Sequence, residues 1–216
     1  EKVSAYSNWL EMLDAEQLDA LVIATPPATQ EVIVSEGLSR NLHIYCEKPF
    51  GLNANEAKNM FGIAQNSTSV FALGYQFRFE PLIEKIKSLI YSGTIEDITK
   101  IEFSWITSGR SDPDRPWSWQ NDTTAGGGVI NAFLSHMVDL VCWLSNQPVK
   151  SILALKKSIL VPVRLDENKK YRDVTAEDYV KADLLLGNNI PVSLETTNCS
   201  MKPSGMHLRI EGGLGI

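Results

Sequence analysis

Three short β-leaning runs, residues 20–24, 43–46 and 70–73, are separated by two stretches of helical length. Strand, helix and strand joined by short connections form a parallel pair with a right-handed crossover, so this order predicts a three-stranded parallel sheet. Run 20–24 is apolar throughout, the pattern of a parallel strand covered on both faces, and Thr25-Pro26-Pro27 ends it. Asn8 with Glu11, and Asn53 with Glu56, have the spacing of capping boxes. They predict helices over 8–18 and from 53, the second carrying Ala57, Met60, Phe61 and Ala64 at helical spacing. A further helix over 29–40 leads through Asn41, a left-handed cap, into the second strand.

After Gly74 the pattern changes. Pro81 opens a helix bearing Leu82, Ile83, Ile86, Leu89 and Ile90, and Gly93 stops it. Strand-like runs follow at 101–105, 152–155, 159–163, 180–186, 191–197 and 207–211, with a turn at 187–189, and one helix over 129–144 interrupts them. The expected fold is α/β plus α+β: a partial Rossmann-type parallel sheet in 1–74, then an α+β domain over 75–216 with a large, mainly antiparallel sheet. Three parallel strands make half of a doubly wound nucleotide-binding sheet, and no G-x-G-x-x-G turn occurs in the sequence. Both ends look cut, at Glu1 and at Gly215-Ile216, so the 216 residues alone are expected to bind dinucleotide poorly and to be inactive.

A net charge of −6 and scattered lysines argue against nucleic acid and anionic membrane. Cys46, Cys142 and Cys199 are odd in number and far apart, which gives neither a zinc spacing nor a disulfide framework and points to a reducing, cytoplasmic setting. No run is expected to reach the length of a membrane span. Runs 152–155 and 182–186 carry apolar residues on both faces, which predicts a homodimer through the open face of the second sheet.

The chemistry-bearing residues stand at the ends of these elements. Strand 43–46 delivers Lys48 to a turn at Pro49, at the mouth where α/β sheets bind ligands. In helix 129–144, Ile130, Leu134, Met137, Val141 and Leu144 form the core stripe, and His136 lies off it beside Ala132 and Leu140. The residues alone leave His136 either partly exposed and tied to Asp139 or facing a ligand. Gly126-Gly127-Gly128 lets backbone or ligand approach the helix start, where the dipole favours anionic groups. Trp117 and Trp119 sit in a polar, proline-containing loop, where they either cover a ring or plug a junction.

Ala24-Thr25-Pro26-Pro27, Glu47-Lys48-Pro49, Arg78-Phe79-Glu80-Pro81, Trp117-Ser118-Trp119, Gly126-Gly127-Gly128 and Ser135-His136 with Asp139 occur in one order across nearly the whole chain. Together they resemble the Gfo/Idh/MocA family of NAD(P)-dependent oxidoreductases, which act mostly on sugars, cyclitols and related hydroxyl or carbonyl compounds. The resemblance implies that Lys48, whose bond to Pro49 is often cis in the family, exchanges a proton with substrate while hydride moves to or from NAD or NADP. It implies that His136 orients the substrate or shares that proton. Thr25, Pro26, Glu47, Lys48, Gln76 and Trp119 would line the cofactor, and Arg78, Trp117 and His136 the substrate; no metal is expected. The family's Asp one turn before the histidine is replaced by Ala132, and Asn131 is turned away by about 100° on an α-helix. Gln30, where many members have His, is expected to carry little weight. The alternative is a non-catalytic dinucleotide- or sugar-sensing regulatory protein of the same fold.

Overall fold

The computed structural model describes residues 3–214; the readings of Glu1 and of Gly215-Ile216 as cut ends lie outside them. The chain splits into two compact units, Glu1–Gly74 and Tyr75–Ile216.

In the first unit the order is α1 (Trp9–Ala15), β1 (Ala20–Ile23), α2 (Gln30–Ser39), β2 (His43–Cys46), α3 (Ala54–Gln65) and β3 (Phe71–Leu73). The strands lie in the order β1-β2-β3, all parallel, with Leu21 opposite Ile44 and Ile44 opposite Phe71. The predicted caps set the helix starts: Asn8 accepts the Leu10 N–H at 3.0 Å, and Asn53 accepts those of Asn55 and Glu56 at 2.9 and 3.1 Å. Asn41, at φ 62°, closes the end of α2 in the left-handed region. Helix α1 is shorter than predicted. Glu16 is already extended, which frees Leu18 to pack onto the core.

The expectation that strand 20–24 is covered on both faces does not hold. Leu21, Ile23, Ile44 and Cys46 are buried with Leu13, Ile33, Val34, Leu38 and Met60 in one cluster, whereas Val22 and Val70 are 70% and 65% exposed. Successive crossovers of one hand place their helices on the same side of the sheet.

The second unit runs α4 (Pro81–Tyr91), β4 (Ile98–Ile106), a π-helical turn (Ile130–Leu134) continuing as α5 (Ser135–Ser145), then β5 (Val149–Ser158), β6 (Val163–Leu165), β7 (Tyr171–Asp173), β8 (Tyr179–Leu186), β9 (Pro191–Thr197) and β10 (Gly205–Gly212). Its main sheet has the order β10-β4-β9-β8-β5, antiparallel except for β4 with β9. Alternate residues of β4, β8 and β9 (Ile101, Phe103, Val180, Ala182, Leu184, Val192, Leu194) pack against Met137, Leu140, Val141 and Leu144 of α5. Each such full burial contributes about 1.5–3 kcal/mol.

Three expectations are corrected here. Residues 159–162 are not a strand: the Asp178 carboxylate accepts the Leu160 and Val161 N–H groups at 2.6 and 3.0 Å, so these donors go to a side chain instead of a ladder. The strand that does form, β6, pairs only with β7. Among the described residues Thr123–Ser145 is, by length and composition, apolar enough to cross a membrane, contrary to the sequence reading; its Met137, Val141 and Leu144 fill the unit's core. The sheet's other face is not apolar. In β8 the residues between the buried ones are Lys181, Asp183 and Leu185, and a ladder of ion pairs crosses the face: Lys100 with Glu102 at 2.7 Å, Arg209 with Glu211 at 2.9 Å, Lys181 with Glu195 at 3.9 Å. Exposed apolar side chains gather instead on the edge strand β5, where Ile152, Leu153 and Leu155 are 63%, 62% and 52% exposed.

Candidate active site

In the first unit Thr25, Pro26, Glu47 and Lys48 all follow the C-terminal ends of the adjacent parallel strands β1 and β2. Pro26 and Pro49 follow shortly after the last strand residues, Ile23 and Cys46, so the sequence itself bars either strand from running on. Thr25 and Pro26 are exposed; the Thr25 and Thr29 hydroxyl oxygens lie 2.8 Å apart, and the Thr29 O–H reaches Pro26 O at 3.0 Å. Glu47 donates its N–H to Ile23 O at 2.8 Å, and its carboxylate rests against Gly74. Lys48 is half-buried and its bond to Pro49 is cis. Burial pulls its ammonium below the ordinary lysine value, and the neighbouring Glu47 carboxylate offsets part of that fall. The thiol of Cys46, fully buried two residues before Lys48, is pushed up to about 12 by burial and is no nucleophile.

The sequence reading gave Gln30 little weight, yet it is 1% exposed and its amide reaches the Lys48 turn: Nε2 donates to Glu47 O and Oε1 accepts the Gly51 N–H, both at 2.8 Å. A buried polar residue in the first turn of a helix is the sequence signal, but its partners lie 17 and 21 residues away.

In the second unit His136 is buried, at 5% exposure, and is not the partly exposed histidine of one reading. Aromatic rings surround it: Phe77 at 4.7 Å and Tyr75 at 5.7 Å edge-on, and Trp105 tilted at 6.4 Å, with Phe133 against Trp105 at 4.5 Å. Arg78 holds Asp139 through two hydrogen bonds, Nε to Oδ2 at 2.8 Å and Nη2 to Oδ1, and that pairing raises the guanidinium's pKa further. Arg78 also lies 5.9 Å from the Tyr75 ring centroid, so Tyr75 touches both the predicted substrate arginine and the histidine. Gln76 is exposed in the turn between them.

The helix that carries His136 starts differently from the expected α-helix. Over Ile130–Leu134 the turn is π, the Ser135 N–H donating to Ile130 O, so a count of 3.6 residues per turn does not relate Asn131 and Ala132 to His136. The Asn131 side chain donates to Gly126 O at 3.0 Å. The anion expected at the glycine-rich helix start is part of the protein: the Glu177 carboxylate accepts the Ile130 N–H at 3.1 Å and lies against Gly128, whose φ is +97°. Gly127 abuts the backbone of Gln120 and Asp122. Glu177, 47 residues from Ile130, gave no signal in the sequence.

Trp117 is engaged with the β6–β7 hairpin. Its N–H donates to Leu165 O at 2.7 Å, its indole Nε1 to Asp173 O at 3.1 Å, and the Arg172 guanidinium stacks 3.3 Å from the ring centroid. Trp119 remains 37% exposed. The loop before them is held by Arg164, 2% exposed, which donates to Asp112 O at 2.7 Å and Arg115 O at 3.3 Å.

The GFO/IDH/MocA C-terminal domain family matches residues 83–216, and the oxidoreductase family with an NAD-binding Rossmann fold matches residues 1–75. An uncharacterised oxidoreductase of Synechocystis sp. is 29% identical over 213 residues, 98% of this chain and 57% of its own. Levoglucosan dehydrogenase of Pseudarthrobacter phenanthrenivorans is 26% identical over 139 residues, 64% of this chain and 36% of its own. A solved levoglucosan dehydrogenase in complex with NADH and L-sorbose superposes with a TM-score of 0.89 at 23% identity, covering 96% of this chain and 55% of that one. The chain thus spans about half the length of these relatives, or less, and in fold and sequence it belongs to the Gfo/Idh/MocA oxidoreductase family.

Proposed function

We propose that this chain supplies the proton-transfer and substrate-facing residues of an NAD(P)-dependent dehydrogenase or reductase acting on a sugar, cyclitol or related small molecule. The observation that carries the reading is Lys48: a lysine at the mouth of a parallel strand, half-buried, with its pKa lowered by burial. General acid–base catalysis works best when the group's pKa approaches the working pH, and desolvation moves a lysine in that direction. In this reading residues 1–74 belong to the dinucleotide-binding domain, and Thr25, Pro26, Glu47, Gln76 and Trp119 face the cofactor. The exposed hydroxyl of Thr25 suits a ribose or carboxamide group. The nicotinamide accepts or donates the hydride. Lys48 takes up or returns the proton of the substrate oxygen, and His136, its ring fixed by Tyr75 and Phe77, orients the substrate beside Arg78 and Trp117. Since residues 1–216 contain no glycine-rich phosphate turn, they are held to bind dinucleotide weakly by themselves, and the tests use the intact protein.

Turnover of NAD and NADP against a panel of sugars and cyclitols tests the activity. In Lys48→Met, kcat should fall by about 10²-fold or more while cofactor affinity stays nearly unchanged; an unchanged kcat removes Lys48 from the mechanism. The regulatory reading is favoured by Ala132, a methyl group where the family pattern has a carboxylate. Dinucleotide binding without turnover anywhere on the panel would establish that reading instead. A cytoplasmic homodimer is part of the proposal, supported by the exposed apolar residues of β5.

A further inference from the structure

Gln30 opens α2, where a polar side chain ordinarily faces water, yet it is 1% exposed. A buried primary amide is costly unless both its donor and its acceptor are satisfied. Here both poles end on the backbone of one turn: Nε2 donates to Glu47 O, one residue before Lys48, and Oε1 accepts from Gly51 N, three residues after it, each at 2.8 Å. The same turn is fixed elsewhere by the Glu47 N–H on Ile23 O at 2.8 Å and by Gly51, whose φ of +78° leaves a Cβ only 2.9 Å from Met60 Cε. Gln30 thus ties the two ends of the Lys48 turn to each other and to α2.

We propose that Gln30 is a positioning residue for Lys48, splinting the turn from Glu47 to Gly51 so that the ammonium keeps one place while its proton is exchanged. The proposal rests on the reading of Lys48 given above and extends it by naming the group that fixes the lysine. Gln30 touches neither substrate nor cofactor in this scheme. Its removal should therefore appear in the chemistry and in the titration of Lys48, while the cofactor site is spared.

The test compares Gln30→Met, of the same length but without the amide, with Gln30→His, whose neutral ring offers one donor and one acceptor nitrogen. Steady-state kinetics of the intact protein are read beside the NMR titration of ¹³C-dimethylated lysines, with Lys48 assigned from a Lys48→Arg variant. Gln30→Met is expected to lower kcat about tenfold, the scale of a small misplacement of a catalytic group, and to leave the cofactor KM within about twofold. It should also move the Lys48 titration up toward the ordinary lysine value, and Gln30→His should recover most of both losses. A lowered melting temperature with unchanged kcat and unchanged titration would mean that Gln30 only supports the fold, and overturns the proposal. If Gln30→Met does not fold, Gln30→Asn is read in the same way; it keeps both groups but is one methylene too short to span the turn. Full activity in Lys48→Met would fail the underlying reading and this proposal together. A loss in Lys48→Met with none in the Gln30 variants fails this proposal alone.

Discussion

A lysine that trades its proton near neutral pH must sit where water solvates it poorly, and that placement has a thermodynamic signature. Because burial lowers the Lys48 pKa in the folded chain, the unfolded chain binds the proton more tightly over the interval between the two values. Below that interval the folded state bears the full cost of a half-buried charge. Stability must rise with pH across it, up to the ordinary lysine value. We therefore expect the unfolding free energy of wild type relative to Lys48→Met to increase as pH rises toward the ordinary lysine value of about 10.4; a flat or falling difference in urea titrations would show that Lys48 is well solvated. At this scale the sequence is informative where the signal is local. Thr25 and Lys48 could be placed at strand ends because prolines follow them directly, and Glu47 because it adjoins Lys48. The surroundings of His136 could not be read, since Phe77 and Trp105 come from two elements distant in sequence and Arg78 reaches Asp139 across 61 residues.

Elements were legible where they carry their own start and stop signals. Asn8, Asn53 and Pro81 begin helices, and Asn41 and Gly93 end them at positive φ. Where a distant group takes over the backbone donors, periodicity misleads: Asp178 turns 159–162 from strand to loop, and the π turn of Ile130–Leu134 sits where Glu177 holds the helix start. Gly128 is the hinge of that second case. An alanine there would need a left-handed backbone at φ +97° and would crowd the Glu177 carboxylate. Gly128→Ala should accordingly destabilise the chain by about 2 kcal/mol, seen as a lower urea midpoint followed by tryptophan fluorescence. An unchanged midpoint would mean that the loop from Gln120 to Gly128 relaxes freely.

For the whole molecule, the alternation of strands and helices settled the architecture, while the reason first given for self-association holds for run 152–155, whose Ile152, Leu153 and Leu155 are exposed, and not for the rest of the open face, which is largely charged. An unpaired edge strand with exposed aliphatic side chains invites a partner strand or sheet. The protein should therefore sediment as a dimer at micromolar concentration, and Leu153→Lys with Leu155→Lys should shift it toward monomer without lowering its melting temperature. A monomeric wild type, or a double variant that still dimerises, would refute the assignment to β5. The charged ladder also determines how such an assembly responds to ionic strength. Its lysines, arginines and glutamates are already neutralised by one another within each copy, so added salt has few intermolecular bridges to weaken. What salt does screen is the repulsion between two chains of net charge −6. Association through the apolar edge should thus tighten as salt is added, opposite to the behaviour of a complex held by ion pairs.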